Sequence, residues 1–249
     1  MSNCCSTLTP LQQSRRMSVA ELMTAQMDLD AVMQASSGPV STCQYQVAIL
    51  DELAEFIGSD SLSWKWWGAA KDPDLLDTHN LKIELTDICH FHLSMMYSVV
   101  KQTLSAAGEC DVTDFSQFSN WYVGSDAGGA PVASLVTAPN TLSHCEFIRL
   151  ASTLLSQSYQ DIYELIGTLQ TLAANIGSIE RFSAYMAAKN TLNHYRTAQF
   201  NGQGYTKINV EGVEDNARML PLIEAFMDTP TMTLDELRDN VRDEFYTQE

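Results

Sequence analysis

Apolar positions recur at helical spacing along most of this chain. Ser18 with Glu21 three residues on has the form of a capping box, and Leu22, Met23, Met27, Val32 and Met33 follow at intervals near three and four. They predict an amphipathic helix over about 18–35, stopped by Ser36-Ser37-Gly38-Pro39. Tyr45, Val47, Ala48, Leu50, Leu53, Phe56 and Ile57 predict a second helix over about 42–58, with Gly58 as its stop. Leu81, Leu85, Ile88, Phe91, Met95 and Val99 predict a third over about 77–105. The polar stretch 106–140, with Gly108, Gly124, Gly128, Gly129, Pro131 and Pro139, reads as a connection between two helical halves. Helical patterns resume near 141–172 and 178–199, a loop is expected from Gln199 to Asp215, and another helix near 216–228. Thr233-Leu234-Asp235-Glu236 resembles a last capping box before a C-terminal helix. No alternating run longer than about four residues supports a strand, and no internal repeat is visible. The expected fold is all-α: a loose tail over 1–17 and a single domain over 18–249, made of halves 18–105 and 141–249.

Composition narrows the function. Of 249 residues, 31 are acidic and 14 basic, giving a net charge of −17. Such a surface repels phosphate backbones, so general DNA or RNA binding is not expected. A small phosphorylated substrate remains compatible, because a divalent cation inverts the local field. No run of 18 apolar residues suggests a membrane span, and the first 20 residues lack the apolar core of a secretory signal. Cys4, Cys5, Cys43, Cys89, Cys110 and Cys145 form no C-x-x-C pair. They read as reduced thiols in a cytosolic compartment, with no zinc site.

If carboxylates are to hold a cation they must cluster, and two pairs have the spacing. Glu52-x-x-Glu55 and Glu84-x-x-Asp87 each place two acids on one helix face, with Cβ atoms roughly 5–6 Å apart. Two such helices side by side would bring four carboxylates together, a charge conflict that Mg²⁺ resolves. Solvated helix-face acids are the alternative, but both pairs are embedded among apolar residues, where buried acids need partners. Trp64, Trp66 and Trp67 around Lys65 are either core or a stacking wall for a base with Lys65 near phosphate. Lys189, Asn193 and Arg196 share a helical face, and Lys207 follows in the next segment. They are either phosphate donors or a charged helix end balancing nearby acids. The five histidines show no nucleophile–base pattern, and no glycine-rich phosphate loop is present.

Taken together and in order, Glu52-Leu53-Ala54-Glu55-Phe56, Trp64-Lys65-Trp66-Trp67, Glu84-Leu85-Thr86-Asp87-Ile88-Cys89-His90-Phe91, Lys189-Asn190-Thr191-Leu192-Asn193 and Glu214-Asp215-Asn216 resemble the dimeric, all-α dUTPase family of nucleoside triphosphate pyrophosphohydrolases. The resemblance covers about 22–98 and 181–218. It implies an Mg²⁺-dependent homodimer that hydrolyses dUTP, and dUDP as well, with two or three ions per site and attack at the β-phosphorus. It implies Glu52, Glu55, Glu84 and Asp87 as metal ligands, with Glu52 or Glu55 taking the proton from the attacking water. It implies Gln26 near the uracil, Trp64 lining the base pocket, Lys65 reaching the substrate and Phe91 packing on the deoxyribose. Lys189 belongs to the same substrate-binding set. Asn193, Arg196, Tyr205, Lys207, Asp215 and Asn216 would form a wall closing over the phosphates, with Arg196 and Lys207 steadying the leaving group. The family usually has Asn where this chain has Asp30, a basic residue at Gly68 and Gly-Tyr at Gln199-Phe200. Asp30 motivates an alternative substrate, dCTP or another nucleoside triphosphate, because a carboxylate accepts from a cytosine amino group.

Overall fold

The longest helix carries apolar side chains nearly all round and is therefore enclosed rather than laid on the surface. This helix and its neighbours come from a computed structural model that describes residues 9–59, 78–106, 154, 162–199, 209–210 and 212–246. In chain order the described elements are α1 (Pro10–Gln13), α2 (Val19–Ser37), α3 (Thr42–Ser59), α4 (Thr78–Ala106), α5 (Ile162–Ile176), α6 (Ile179–Gln199), β1 (Asn209–Val210), β2 (Val213–Glu214), α7 (Asp215–Asp228) and α8 (Leu234–Tyr246). The architecture is all-α, as the periodicity predicts. Of the connection expected over 106–140, Ala106 still belongs to α4 and the rest lies outside the described residues, as does most of 141–161.

Helix α4 is the central element. Ile83, Leu85, Ile88, Leu93, Met96 and Val100 are all buried, and α2, α3, α5 and α6 pack against it. Several of its buried polar groups have partners that offset their desolvation. Thr86 Oγ1 donates to Lys82 O at 2.6 Å, and His92 Nε2 lies 2.7 Å from Leu165 O on α5. On α6, small residues Ala184, Ala187 and Ala188 alternate with Phe182, Tyr185 and Leu192 in the same core. Helices α7 and α8 close over the outer side of α6. Tyr195 of α6 meets Phe245 and Tyr246 of α8 with ring centroids 5.9 and 4.5 Å apart.

Caps fix several helix ends where the sequence predicts them. Ser18 Oγ accepts from Glu21 N at 3.2 Å while the Glu21 carboxylate accepts from Ser18 N at 2.7 Å. Thr233 and Glu236 repeat the arrangement at the start of α8, at 3.3 and 2.7 Å. Gly38 ends α2 at φ 80°, a conformation open to glycine without Cβ strain.

Two expectations are corrected. Residues 10–17 are not a loose tail. Thr9 caps α1, Met17 is buried in the core and Arg15 lies beneath α7. The apolar signal there is too short to be periodic, and a buried arginine is not anticipated from pattern. The loop expected between Gln199 and Asp215 contains an antiparallel ladder pairing Asn209 with Glu214 and Val210 with Val213. Gly212, at φ 83°, sits in its turn. Two-residue strands are too short to leave an alternating signature.

Candidate metal and nucleotide site

Helices α3 and α4 lie side by side and bring their acid pairs to a shared seam. Ligand oxygens of Glu52, Glu55 and Glu84 all fall within 4.8 Å of one another. Burial and the charges of Asp87, Glu84 and Glu55 push the Glu52 carboxyl up to about 8, against the opposing pull of Lys189. Asn80, one turn before Glu84 on α4, steadies that side chain. Its Nδ2 donates to Glu84 Oε1 at 3.1 Å and to Ser59 Oγ at the end of α3 at 2.8 Å. The donor set fits a hard divalent cation. It is made of carboxylate oxygens close to one another, and burial and like charge both disfavour the ionised Glu52, a conflict that a cation would relieve.

Asp87 belongs to the same seam but is turned toward α6. Its Oδ2 accepts from Lys189 Nζ at 2.8 Å, and that lysine side chain is only 1% exposed. Lys189 Nζ also donates to Asn216 Oδ1 at 2.9 Å. Arg196, two turns further along α6, is fully buried against a fully buried Asp215. Arg196 Nε donates to Asp215 Oδ2 at 2.6 Å, and Nη2 pairs with Asp215 Oδ1. Nη2 also reaches Asn216 Oδ1 at 3.2 Å, and Nη1 reaches Asn193 Oδ1 at 3.3 Å. A continuous polar chain therefore runs from the acid seam through Lys189 and Asn216 to Arg196 and Asp215. It fastens the first turn of α7 to α6. The forked pairing with Asp215 makes Arg196 a clamp for α7 rather than an open donor for phosphate.

A cavity of about 350 Å³ opens between α2, α3, α4 and α6. Glu52, Glu55, Asp87, Lys189, Asn193 and Arg196 line one part of it. Leu29, Met33, Val40, Ala48 and Phe91 supply apolar wall, and Gln26, Asp30, Gln34, Tyr45 and His90 supply a second polar region. Gln26 Nε2 donates to Asp30 Oδ1 at 2.9 Å, and His90 Nδ1 lies 2.6 Å from Gln26 Oε1. Tyr45 Oη donates to Asp30 Oδ2 at 3.3 Å and accepts from Gln34 Nε2 at 2.9 Å. Burial pushes the Asp30 carboxyl up, partly offset by hydrogen bonds from Ser94, Gln26 and Tyr45. Burial also keeps His90 neutral, with its imidazole pushed down to about 4.

The structure thus gathers nine of the expected residues around one cavity: Gln26, Asp30, Glu52, Glu55, Asp87, Phe91, Lys189, Asn193 and Arg196. Glu84 completes the carboxylate group, and Asp215 and Asn216 stand behind Lys189 and Arg196. Trp64, Lys65, Tyr205 and Lys207 lie outside the described residues. The sequence reading missed Gln34, Tyr45, His90 and Ser94 as site residues. One signal was available. Gln26, Asp30 and Gln34 repeat every fourth residue and form a polar stripe on one face of α2.

A sequence model described as dUTPase matches residues 18–201, well over half of the chain. The chain belongs to the dimeric, all-α dUTPase family. Membership makes it a hydrolase, a dUTP diphosphatase. Among curated proteins none matches the chain. The dUTPase match starts at the cap of α2 and ends just past α6, so it contains both acid pairs and Lys189, Asn193 and Arg196. The β-hairpin, α7 and α8, with Asp215 and Asn216, follow the matched segment.

Proposed function

We propose that this dUTPase-family chain hydrolyses dUTP to dUMP and pyrophosphate, and dUDP to dUMP, in an Mg²⁺-dependent reaction at the α3–α4 seam. The convergence of Glu52, Glu55 and Glu84 within 4.8 Å at the edge of the cavity supports this reading most directly. Glu52, Glu55, Glu84 and Asp87 would hold the two or three ions. Mg²⁺ held there would supply charge neutralisation along the phosphate chain and a water of lowered pKa as the nucleophile. Glu52 or Glu55 then receives the proton of that water. Lys189, held by Asp87 and Asn216, sets a positive charge beside the phosphates. Phe91 packs against the sugar, where a 2′-hydroxyl would meet an apolar ring. The family resemblance assigns Trp64, Lys65, Tyr205 and Lys207 to substrate binding as well.

A homodimer in the cytoplasm is part of the same reading. Val32 on α2 and Val47 and Leu50 on α3 are exposed at 43%, 65% and 43%, and a second subunit would cover such side chains. Among the described residues no helix is long and apolar enough to cross a membrane. The direct test is pyrophosphate release from dUTP with Mg²⁺ and with EDTA, alongside sedimentation at micromolar concentration. Release that depends on Mg²⁺ supports the assignment. Equal release in EDTA, or none at all, overturns it, and a monomer overturns the dimer.

A further inference from the structure

Helices α2 and α6 run side by side in the same direction, and hydrogen bonds tie them at successive heights. Just before α2 begins, Arg16 Nε donates to Glu180 Oε1 at 2.6 Å and Met17 N donates to Ser183 Oγ at 2.9 Å. Further along, Asn190 Nδ2 donates to Ala25 O at 3.1 Å. Ala25 lies in the interior of α2, where its carbonyl already serves the helix ladder. A carbonyl oxygen accepts two hydrogen bonds, so the second lone pair is open to Asn190. The bond therefore joins two helices rather than completing the end of one.

Its height along the helices decides what it controls. Ala25 precedes Gln26, and Asn190 follows Lys189. From that level onward both helices wall the cavity that holds the acid seam, with Gln26, Asp30 and Gln34 from α2 and Lys189, Asn193 and Arg196 from α6. On the other side of the same contact, Ala25, Asp28, Asn190 and His194 line an outer cavity of about 580 Å³. Open space thus flanks the contact on both sides at this level, and the Asn190 bond crosses it. Glu52, Glu55, Glu84 and Asp87 stand on α3 and α4, which this bond does not touch.

We propose that Asn190 is a positioning residue, which fixes the distance between α2 and α6 and so sets how tightly the nucleotide is held. The inference rests on the reading of this cavity as the nucleotide site. Loosening the tie moves one wall of the cavity against the other. Binding of the ground state and of the transition state then weakens alike, which raises KM and preserves kcat.

The test is steady-state hydrolysis of dUTP with Mg²⁺ by Asn190→Leu, which keeps the size of the side chain without its donor. KM should rise about fivefold or more while kcat stays within about twofold, and Mn²⁺ binding should match the wild type. KM does not depend on the fraction of enzyme that folds. Asn190→Asp keeps a polar side chain but sets an oxygen against the Ala25 carbonyl, and it should raise KM as well. Ser183→Ala removes the tie about 10 Å earlier along α6. It should lower the melting temperature and leave KM unchanged. A wild-type KM in either Asn190 variant overturns the inference and leaves the proposed function standing. So does a loss carried by kcat or by Mn²⁺ binding, or an equal rise of KM in Ser183→Ala. A wild type that hydrolyses no dUTP overturns both readings.

Discussion

Lys189 holds Asp87 at 2.8 Å from a position almost wholly shut off from water. Its ammonium is a fixed positive charge built against an acid seam that would otherwise repel itself. Replacing Lys189 with Met takes the Nζ donor from Asp87 and removes one of the donors to Asn216, which keeps its bond from Arg196. Breaking a buried ion pair costs roughly 3–5 kcal/mol, and the partial exposure of Asp87 places this one toward the low end. Lys189→Met should melt well below the wild type in EDTA, and Mg²⁺ should recover more stability for the variant than for the wild type. Equal melting in EDTA would show that the pair contributes nothing.

Glu55 is the exposed member of the carboxylate trio, so its substitution tests chemistry with little disturbance of the core. Glu55→Gln should lower dUTP turnover about a hundredfold or more and weaken Mn²⁺ binding measured by electron paramagnetic resonance. An unchanged rate with unchanged Mn²⁺ affinity refutes the metal assignment.

Asn80 bears on Glu84 without belonging to the carboxylate group. Asn80→Ala removes the bonds to Glu84 and Ser59. We expect about 1 kcal/mol of lost stability in a denaturant titration. Mn²⁺ affinity should fall by roughly tenfold, the effect of loosening a group that orients a ligand. Affinity equal to wild type would mean that packing alone orients Glu84.

The buried pair of Arg196 and Asp215 predicts a local effect. Asp215→Ala leaves a fully buried guanidinium without its carboxylate, at a cost of roughly 3–5 kcal/mol. Amide exchange should accelerate first over Asp215–Met219 at the start of α7. Uniform acceleration across all helices instead would show that the clamp is not local.

His92 sets a pH dependence. Burial pushes its imidazole down to about 4 from an ordinary value of 6.5. The unfolded chain therefore takes up a proton below 6.5 that the fold refuses until about 4. Stability from this group is intact above 6.5 and falls as pH drops through that window, by up to about 1.4 kcal/mol per pH unit. His92→Gln should flatten the fall between pH 6.5 and 4 by close to one proton in denaturant midpoints. Parallel curves for variant and wild type would count against a neutral His92.

Much of this fold was readable because helices advertise themselves by periodicity. The Ser18–Glu21 and Thr233–Glu236 boxes marked two helix starts to the residue, and Leu81 to Val99 traced α4. The acid pairs were equally visible, since a spacing of three on a helix fixes a common face. Partner choice was not. Nothing in the spacing of Arg196 says that it meets Asp215 rather than phosphate. Likewise, Tyr45 looks like one more apolar-face aromatic until α2 brings Asp30 to its hydroxyl. Pairings across helices depend on tertiary packing, which a one-dimensional pattern does not encode. Arg15 escaped for the same reason.

That arginine has a reach beyond its own surroundings. It stacks 3.9 Å from the Phe226 ring, and its guanidinium gathers the carbonyls of Phe226, Thr229 and Met232 at the close of α7. Leu234 N donates to Ser14 O beside it at 3.0 Å. The opening residues of the chain therefore act as a peg for the far end of the helix whose near end carries Asp215 and Asn216. A protease cut, a fusion partner or a splice at residues 9–17 would be felt along a lever of about 20 Å where Asp215 and Asn216 meet Arg196 and Lys189. An event at the amino terminus becomes a control on a site assembled almost wholly from the middle of the chain.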